Sequence, residues 1–344
     1  MANLVINTFC NLRCPYCFAE DEKTTYVNEE MTLETVKYAT EFITQTEGRI
    51  GIIGGEPTFH RQFREIMYYL FDNPMVEQIV LYTNGTNLKK YKNILTHHKV
   101  RMLVNLNANG IISEEKLNEI VDVLKQINNE NEILGFYDKI SLGINIYSPK
   151  QEIDYIFQAL NKLGLKGVRY SISIQQFDLE NTPDPLDYYQ EMKGKIIEFL
   201  DKCVKHRIVP NEDCNFIPYC ILSEEEIVKY NDFFYDLAME YGRNFKPIGI
   251  NQNCYNGHPI DIHCDLTLSR CFGVSEHLKM KIHTFKDLTD VYNYYDRWLL
   301  SPAKMLNISS KCSNDCVNYF NCSGSCLKYK LKNIIDLRSK LGVV

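Results

Sequence analysis

The chain has 344 residues, 45% hydrophobic and 24% charged, with a formal net charge of −6. That length suits about two domains with a real core, and the acidic balance argues against a nucleic-acid groove or an anionic membrane surface as the main partner. No run approaches the ~18 apolar residues of a membrane span, Met1–Thr8 lacks the basic start of a signal peptide, and 23 Tyr and 17 Phe spread along the chain exclude disorder.

In chain order, the first strand is expected at Leu4–Thr8, and further strands at Arg49–Ile53, Gln78–Thr83, Val100–Asn107, Ile140–Ile146 and Val168–Ile174. All are short and rich in β-branched residues, as strands buried on both faces tend to be. Amphipathic helices fall between them. Phe59, Phe63, Ile66, Met67 and Leu70 have helical spacing, as do Leu117, Ile120, Val121, Leu124 and Ile127, with Ser113 as N-cap. Ile153, Ile156, Phe157, Leu160 and Leu163 form another such face, closed by Gly164. Strands alternating with helices give βα units and a parallel sheet. Asp178–Leu186, with two prolines and three acids, reads as a linker. A helix over Tyr188–His206 follows, then a loop with Cys214 and Cys220, then a helix over Ser223–Tyr241. From about residue 251 periodicity fades, and a small core there needs cross-linking by metal.

Thirteen cysteines are more than packing explains, and their placement is uneven: Cys10, Cys14 and Cys17, then none for 185 residues, then ten from Cys203 to Cys326. Without an export signal a reducing, cytoplasmic setting is expected, where clustered thiols read as metal or redox ligands. Cys10, Cys14 and Cys17 have the spacing C-x3-C-x2-C directly after the first strand. Loops at the carboxyl ends of parallel strands host chemistry. Three thiolates there can hold three irons of a [4Fe–4S] cube and leave the fourth open to a non-protein ligand. A structural zinc would ordinarily take four protein ligands. Cys312, Cys316, Cys322 and Cys326 repeat the theme as C-x3-C-x5-C-x3-C, which suits zinc or a cluster.

The run Cys10-Asn11-Leu12-Arg13-Cys14-Pro15-Tyr16-Cys17 resembles the cluster loop of radical S-adenosylmethionine (radical SAM) enzymes, and Gly54-Gly55-Glu56-Pro57 resembles their GGEP motif. The resemblance implies a partial (β/α)6 TIM-like barrel, an α/β fold in agreement with the six strands. It implies Tyr16 near the adenine of bound SAM and Gly54, Gly55, Glu56 and Pro57 near its amino group. Two glycines permit close backbone approach, and Pro57 suits a first helical turn. Asn105, Asn107 and Asn109 stand where the family often has Ser and Asp against the SAM ribose. Asn145, Ser171 and Ser173 are further candidates for that pocket, and Arg169 for the SAM carboxylate; each also reads as a polar residue finishing a strand.

The carboxy-terminal cysteines resemble a SPASM domain, the auxiliary [4Fe–4S] module of many radical SAM maturases. The usual run has one residue fewer in its first gap. Upstream, Cys254 and Cys271 match the module's first element, except that Leu266 stands where glycine is expected. The resemblance implies one or two auxiliary clusters on Cys254, Cys271, Cys312, Cys316, Cys322 and Cys326. Cys214, Cys220 and Cys264 compete for remaining places, and Cys203 is a bystander. Cys220 is also a candidate hydrogen-atom donor to a substrate radical. The implied organisation is a radical SAM core over 1–180, bridging helices and a loop over 181–250, and a small cysteine-rich SPASM-like domain over 251–344.

The expected chemistry is reductive cleavage of SAM to a 5′-deoxyadenosyl radical, with the cofactors carrying the hard step. The leading expectation is modification of a ribosomally made peptide by crosslinking or epimerisation. The rivals are an anaerobic sulfatase maturase forming formylglycine and a non-enzymatic iron–sulfur or zinc protein. The motif begins nine residues in, so no leader-binding domain is expected before it. A separate recognition protein, docking on the SPASM surface or pairing with a sheet edge would recruit the peptide. A flavodoxin or ferredoxin is the expected electron donor, and neither nucleic acid nor membrane is an expected partner.

Overall fold

The computed structural model describes all residues except 18, 20–27, 109, 137, 174–183, 250–258, 273–277, 310, 313–315, 317–321, 323–325 and 341–344. Asn109, Cys254 and most of the expected linker therefore lie outside the described residues. The contacts divide the chain into two compact units, Met1–Gly143 with His258–Tyr295, and Ile144–Gly257 with Asp296–Val344.

The first unit is built on β1 (Ala2–Asn7), β2 (Arg49–Gly54), β3 (Gln78–Thr83), β4 (Val100–Asn105) and the start of β5 (Ile140–Ile146), which neighbour one another in chain order and run parallel. Every residue of β1 is buried, as a parallel strand covered on both faces requires. The longer helices between these strands are α1 (Leu33–Thr44), α2 (Phe63–Asp72) and α3 (Glu114–Ile133). Thr32 caps α1 by accepting from the Thr35 amide, and Ser113 caps α3 by accepting from that of Lys116. The apolar faces read from spacing are the ones buried: Ile66, Met67 and Leu70 on α2, and Ile120, Val121, Leu124 and Ile127 on α3. Pro57 opens a separate 3₁₀ turn, Pro57–Phe59, instead of one continuous helix with α2.

Sequence patterning gave no sign of the strands on the far side of β1. There, β8 (Ile260–Ile262) pairs with β1 in parallel, and β9 (Thr267–Ser269) and β10 (Met280–Lys281) follow antiparallel. They hold two or three residues each, too few for periodicity to register. The β8–β9 hairpin turns through Leu266, whose φ of 62° lies in the left-handed region. Side chains pay for this conformation and glycine does not. Helix α7 (Leu288–Tyr295) seats its buried Tyr295 hydroxyl on the carbonyls of Leu268 and Leu278. Its Tyr292 hydroxyl donates to Glu47, which also pairs with the Met1 ammonium.

In the second unit the end of β5 neighbours β6 (Gly167–Ile172), and β7 (Val209–Cys214) pairs with β6 in parallel. Helix α4 (Asp154–Leu163) ends on Gly164 at φ 68°, as expected. Helix α5 (Pro185–His206) starts with Asp184 as N-cap and Pro185 in its first turn, inside the expected linker. Helix α6 (Glu224–Glu240) opens with a capping box between Ser223 and Glu226. Cys214 ends a strand, not the loop expected from its sequence. Val209-Pro210-Asn211-Glu212-Asp213-Cys214 has no strand pattern, but β7 is the last strand in the order, where Pro is tolerated, and pairing with β6 overrides weak propensity. Helix α8 (Leu331–Lys340) closes the described chain. Among the described residues no helix is long and apolar enough to cross a membrane.

Candidate functional site

Because β1 to β4 run parallel, their carboxyl ends lie on one edge of the sheet, and the polar residues of the first unit's candidate site follow from those four ends. After β1 comes the cysteine loop. Its segment is anchored on both sides: the Thr8 amide donates to the Glu29 carbonyl at 3.0 Å, and the Thr8 hydroxyl accepts from the Glu29 amide at 3.0 Å. The Cys17 amide donates to the Cys14 carbonyl at 3.1 Å, a turn that folds the last two cysteines back on one another. All three thiols are half-buried. Cys17 packs beside the small apolar cluster of Val5, Ala19 and Phe272.

The end of β2 is stitched directly to this loop. The Gly55 amide donates to the Asn7 carbonyl at 2.9 Å and the Glu56 amide to the Phe9 carbonyl at 2.7 Å. A Cβ on Gly55 would stand 2.1 Å from the Phe9 carbonyl oxygen, and one on Gly54 2.3 Å from that of Asn7. The glycine pair is thus demanded by the chain's own backbone, which leaves no room for a side chain between the two motifs.

Glu56 is buried at 1% exposure. Its Oε1 accepts from the Thr58 amide at 3.2 Å, the Thr58 hydroxyl at 2.6 Å and the Thr83 hydroxyl at 2.7 Å, and its Oε2 from the Asn84 amide at 2.7 Å. Burial raises its pKa while these four donors pull the other way. The carboxylate therefore ties the GGEP turn to the end of β3. Sequence reading passed over Thr58, Thr83 and Asn84; the signal for the last two was their place at the carboxyl end of a parallel strand.

Asn84 carries the network to sulfur. Its side-chain amide donates to Asn11 Oδ1 at 3.0 Å and to Cys10 Sγ at 3.8 Å, while the Leu12 amide approaches the same sulfur at 3.5 Å. After β4, Asn107 Oδ1 accepts from the Tyr16 hydroxyl and lies 3.9 Å from Cys14 Sγ. Its Nδ2 donates to the Asn105 carbonyl at 3.2 Å. Tyr16, Asn105 and Asn107 are thus joined to the cysteine loop. Cys264, at the β8–β9 turn, donates its thiol to the Val5 carbonyl at 3.2 Å, and Cys271 follows β9, half-buried.

In the second unit the Ser171 hydroxyl donates to Asn145 Oδ1 at 2.6 Å, so these two pocket candidates form a pair. Arg169 is ion-paired with Asp213, which commits part of its guanidinium. Cys220 is exposed in the 3₁₀ turn Tyr219–Ile221, whose Ile221 is buried. Desolvation, then the neighbouring Cys322, Cys312 and Cys316, push its thiol pKa up. Cys312 and Cys322 are half-buried, Cys316 is exposed and Cys326 is buried. Cys203 is fully buried in α5, which fits a bystander.

The donor set of the amino-terminal loop fits an iron–sulfur cluster: three half-buried thiols on one anchored turn, with N–H donors aimed at one sulfur. Among the described residues no three Cys, His, Asp or Glu side chains converge at metal-binding distance.

The radical SAM superfamily model matches residues 4–123. GTP 3′,8-cyclase of Klebsiella pneumoniae (strain 342) is 33% identical over 90 residues, 25% of this chain and 27% of that protein. The probable GTP 3′,8-cyclase of Methanococcus maripaludis is 25% identical over 229 residues, 67% of this chain and 66% of that protein. The matches thus span only about a quarter to two thirds of these relatives. Among solved structures, Streptococcus suis SuiB bound to S-adenosylmethionine aligns over 96% of this chain and 73% of its own, at 14% identity and TM-score 0.57. SuiB bound to the precursor peptide SuiA aligns over 95% and 70%, at 14% identity and TM-score 0.53. The likeness is one of fold.

Proposed function

We propose that this chain, a radical SAM superfamily protein by its residues 4–123, modifies a ribosomally made peptide by crosslinking or epimerisation. The observation that carries the reading is the stitch between its two motifs: the GGEP turn donates two backbone hydrogen bonds to the strand end and loop that bear Cys10, Cys14 and Cys17.

In this reading Cys10, Cys14 and Cys17 hold three irons of a [4Fe–4S] cluster. When bound, cluster and SAM together supply reductive cleavage to a 5′-deoxyadenosyl radical for removal of a substrate hydrogen atom. The residues of the chain orient and enclose. With the Glu56 carboxylate committed to Thr58, Thr83 and Asn84, the contact to the SAM amino group falls to the main chain of Gly54, Gly55 and Glu56, and Pro57 fixes the turn. Tyr16, Asn105 and Asn107 would flank the adenosyl moiety. Asn145 and Ser171, a hydrogen-bonded pair of the second unit, are proposed as further SAM-binding residues. Arg169 would meet the SAM carboxylate through the nitrogens that Asp213 does not take.

One or two auxiliary clusters are proposed on Cys254, Cys271, Cys312, Cys316, Cys322 and Cys326, with Cys214 and Cys264 as further ligands and Cys220 as hydrogen-atom donor. Leu266 supports the likeness to SPASM modules, because it supplies the left-handed backbone for which glycine is expected at that position. The SuiB structure with its precursor peptide supports a peptide substrate here. A nucleotide substrate is the second reading, favoured by the identity to GTP 3′,8-cyclases.

The test is anaerobic reconstitution with iron and sulfide, followed by SAM and dithionite. The wild type is expected to form 5′-deoxyadenosine and Cys14→Ala none. A wild type that holds a cluster yet never cleaves SAM would remove the radical reading. Candidate peptides encoded beside the gene, and GTP, are then supplied in parallel. A mass change in a peptide supports the proposal; consumption of GTP alone overturns the peptide assignment.

A further inference from the structure

The side chain of Asn84 has its orientation fixed by neighbours that cannot reverse. Its Oδ1 accepts from the Thr86 amide at 3.0 Å and from the Thr86 hydroxyl at 2.6 Å. A backbone N–H can only donate, so the carbonyl end must face Thr86 and the NH₂ end must face Cys10 and Asn11. Its own backbone amide is held at 2.7 Å by the buried Glu56 carboxylate. Asn84 is thus clamped at both ends, with one N–H aimed at Cys10 Sγ at 3.8 Å. The Leu12 amide at 3.5 Å makes Cys10 a sulfur with two N–H donors, whereas Cys14 faces the Asn107 carbonyl oxygen, an acceptor.

We propose that Asn84 is a positioning residue that raises the reduction potential of the cluster held by Cys10, Cys14 and Cys17, by donating its side-chain amide to the Cys10 sulfur. Glu56 is the residue that keeps it in place. Hydrogen bonds to cluster sulfurs favour the more negative, reduced charge state and so shift the potential upward. The GGEP glutamate then serves the cluster as well as the turn, through one intervening amide. This inference rests on the cluster reading of the previous section.

The test is a mediator titration followed by electron paramagnetic resonance on reconstituted full-length protein without SAM. Asn84→Ala is expected to hold wild-type iron and sulfide and to titrate at a more negative potential. Asn84→Asp keeps the shape and the backbone amide but replaces the donor by a carboxylate, and is expected to titrate lower still. Asn11→Ala removes the other acceptor of the Asn84 amide and is expected to leave the potential at the wild-type value. Wild-type potentials in both Asn84 variants would overturn the proposal. So would an Asn11→Ala shift equal to that of Asn84→Ala, since loop disorder would then account for both. A wild type that holds no cluster would defeat the cluster reading itself, a separate result.

Discussion

Burial in this fold holds the Glu212 carboxyl well above the ordinary carboxylate range. It lies on β7 at 5% exposure, its Oε1 accepting from the Ile217 amide at 2.8 Å beside the buried Tyr170. Burial raises its pKa from the ordinary 4.5 to about 8, against the pull of the Ile217 amide and the neighbouring Tyr170 hydroxyl. Below the unfolded value both states carry the proton and the group is neutral to stability. Between the two values the folded state holds a proton that the unfolded chain has lost, so stability falls as pH rises, by about 1.4 kcal/mol per pH unit. At pH 7 the accumulated loss is on the order of 3 kcal/mol. Glu212→Gln has the shape of the protonated acid without the titration. Its second amide hydrogen costs about 1 kcal/mol if no acceptor is found, leaving a net gain of roughly 2 kcal/mol at pH 7. Urea midpoints of anaerobic, metal-free protein at pH 4.5, 6, 7 and 8 measure this. Wild type and variant are expected to coincide near pH 4.5 after that small offset and to separate progressively above it. A gap that is constant with pH, or widens on acidification, would show that the desolvated carboxyl is not the cause.

Three further outcomes follow from the site and its surroundings. Gly55→Ala would force a methyl against the Phe9 carbonyl 2.1 Å away, so the cysteine loop must move; loss of iron–sulfide absorbance on reconstitution is expected, and full cluster content would contradict the stitch. Glu56→Gln sets an NH₂ group or a lost acceptor against the Asn84 amide, a buried mismatch worth about 1–3 kcal/mol, read as a lower midpoint in thermal unfolding. Leu266→Gly relieves about 1 kcal/mol of left-handed strain but frees the unfolded chain by a similar amount, so a near-zero change in melting temperature is expected, whereas Leu266→Val, with a branched Cβ at φ 62°, is expected to lower it clearly.

The βα succession of the first unit was legible because each element carries its own signal: buried runs such as Ile50 and Ile52, helical stripes such as Ile120, Leu124 and Ile127, the Ser113 cap and the Gly164 stop. The two motifs were legible because spacing alone marks them. What escaped was set by tertiary pairing. Strand β7 hides behind Pro210 and two acids, and β8 to β10 are too short to show a period. The supporting cast of the site escaped for a related reason. Thr58, Thr83 and Asn84 are unremarkable until Glu56 is seen to gather them, and the role of the Gly54–Gly55 pair changes once Asn7 and Phe9 are seen against it. Sequence suggested close approach of a ligand; the fold shows that the glycines are also required by the backbone of Asn7 and Phe9.

That shared backbone makes the two signatures one heritable part. A cysteine loop transplanted from another protein would arrive with different carbonyl positions and meet the old turn out of register. Exchange at this end of the sheet has to carry residues 7–17 and 54–58 together, along with the threonine and asparagine that close β3, and libraries built on either stretch alone will be dominated by chains whose loop and turn no longer meet.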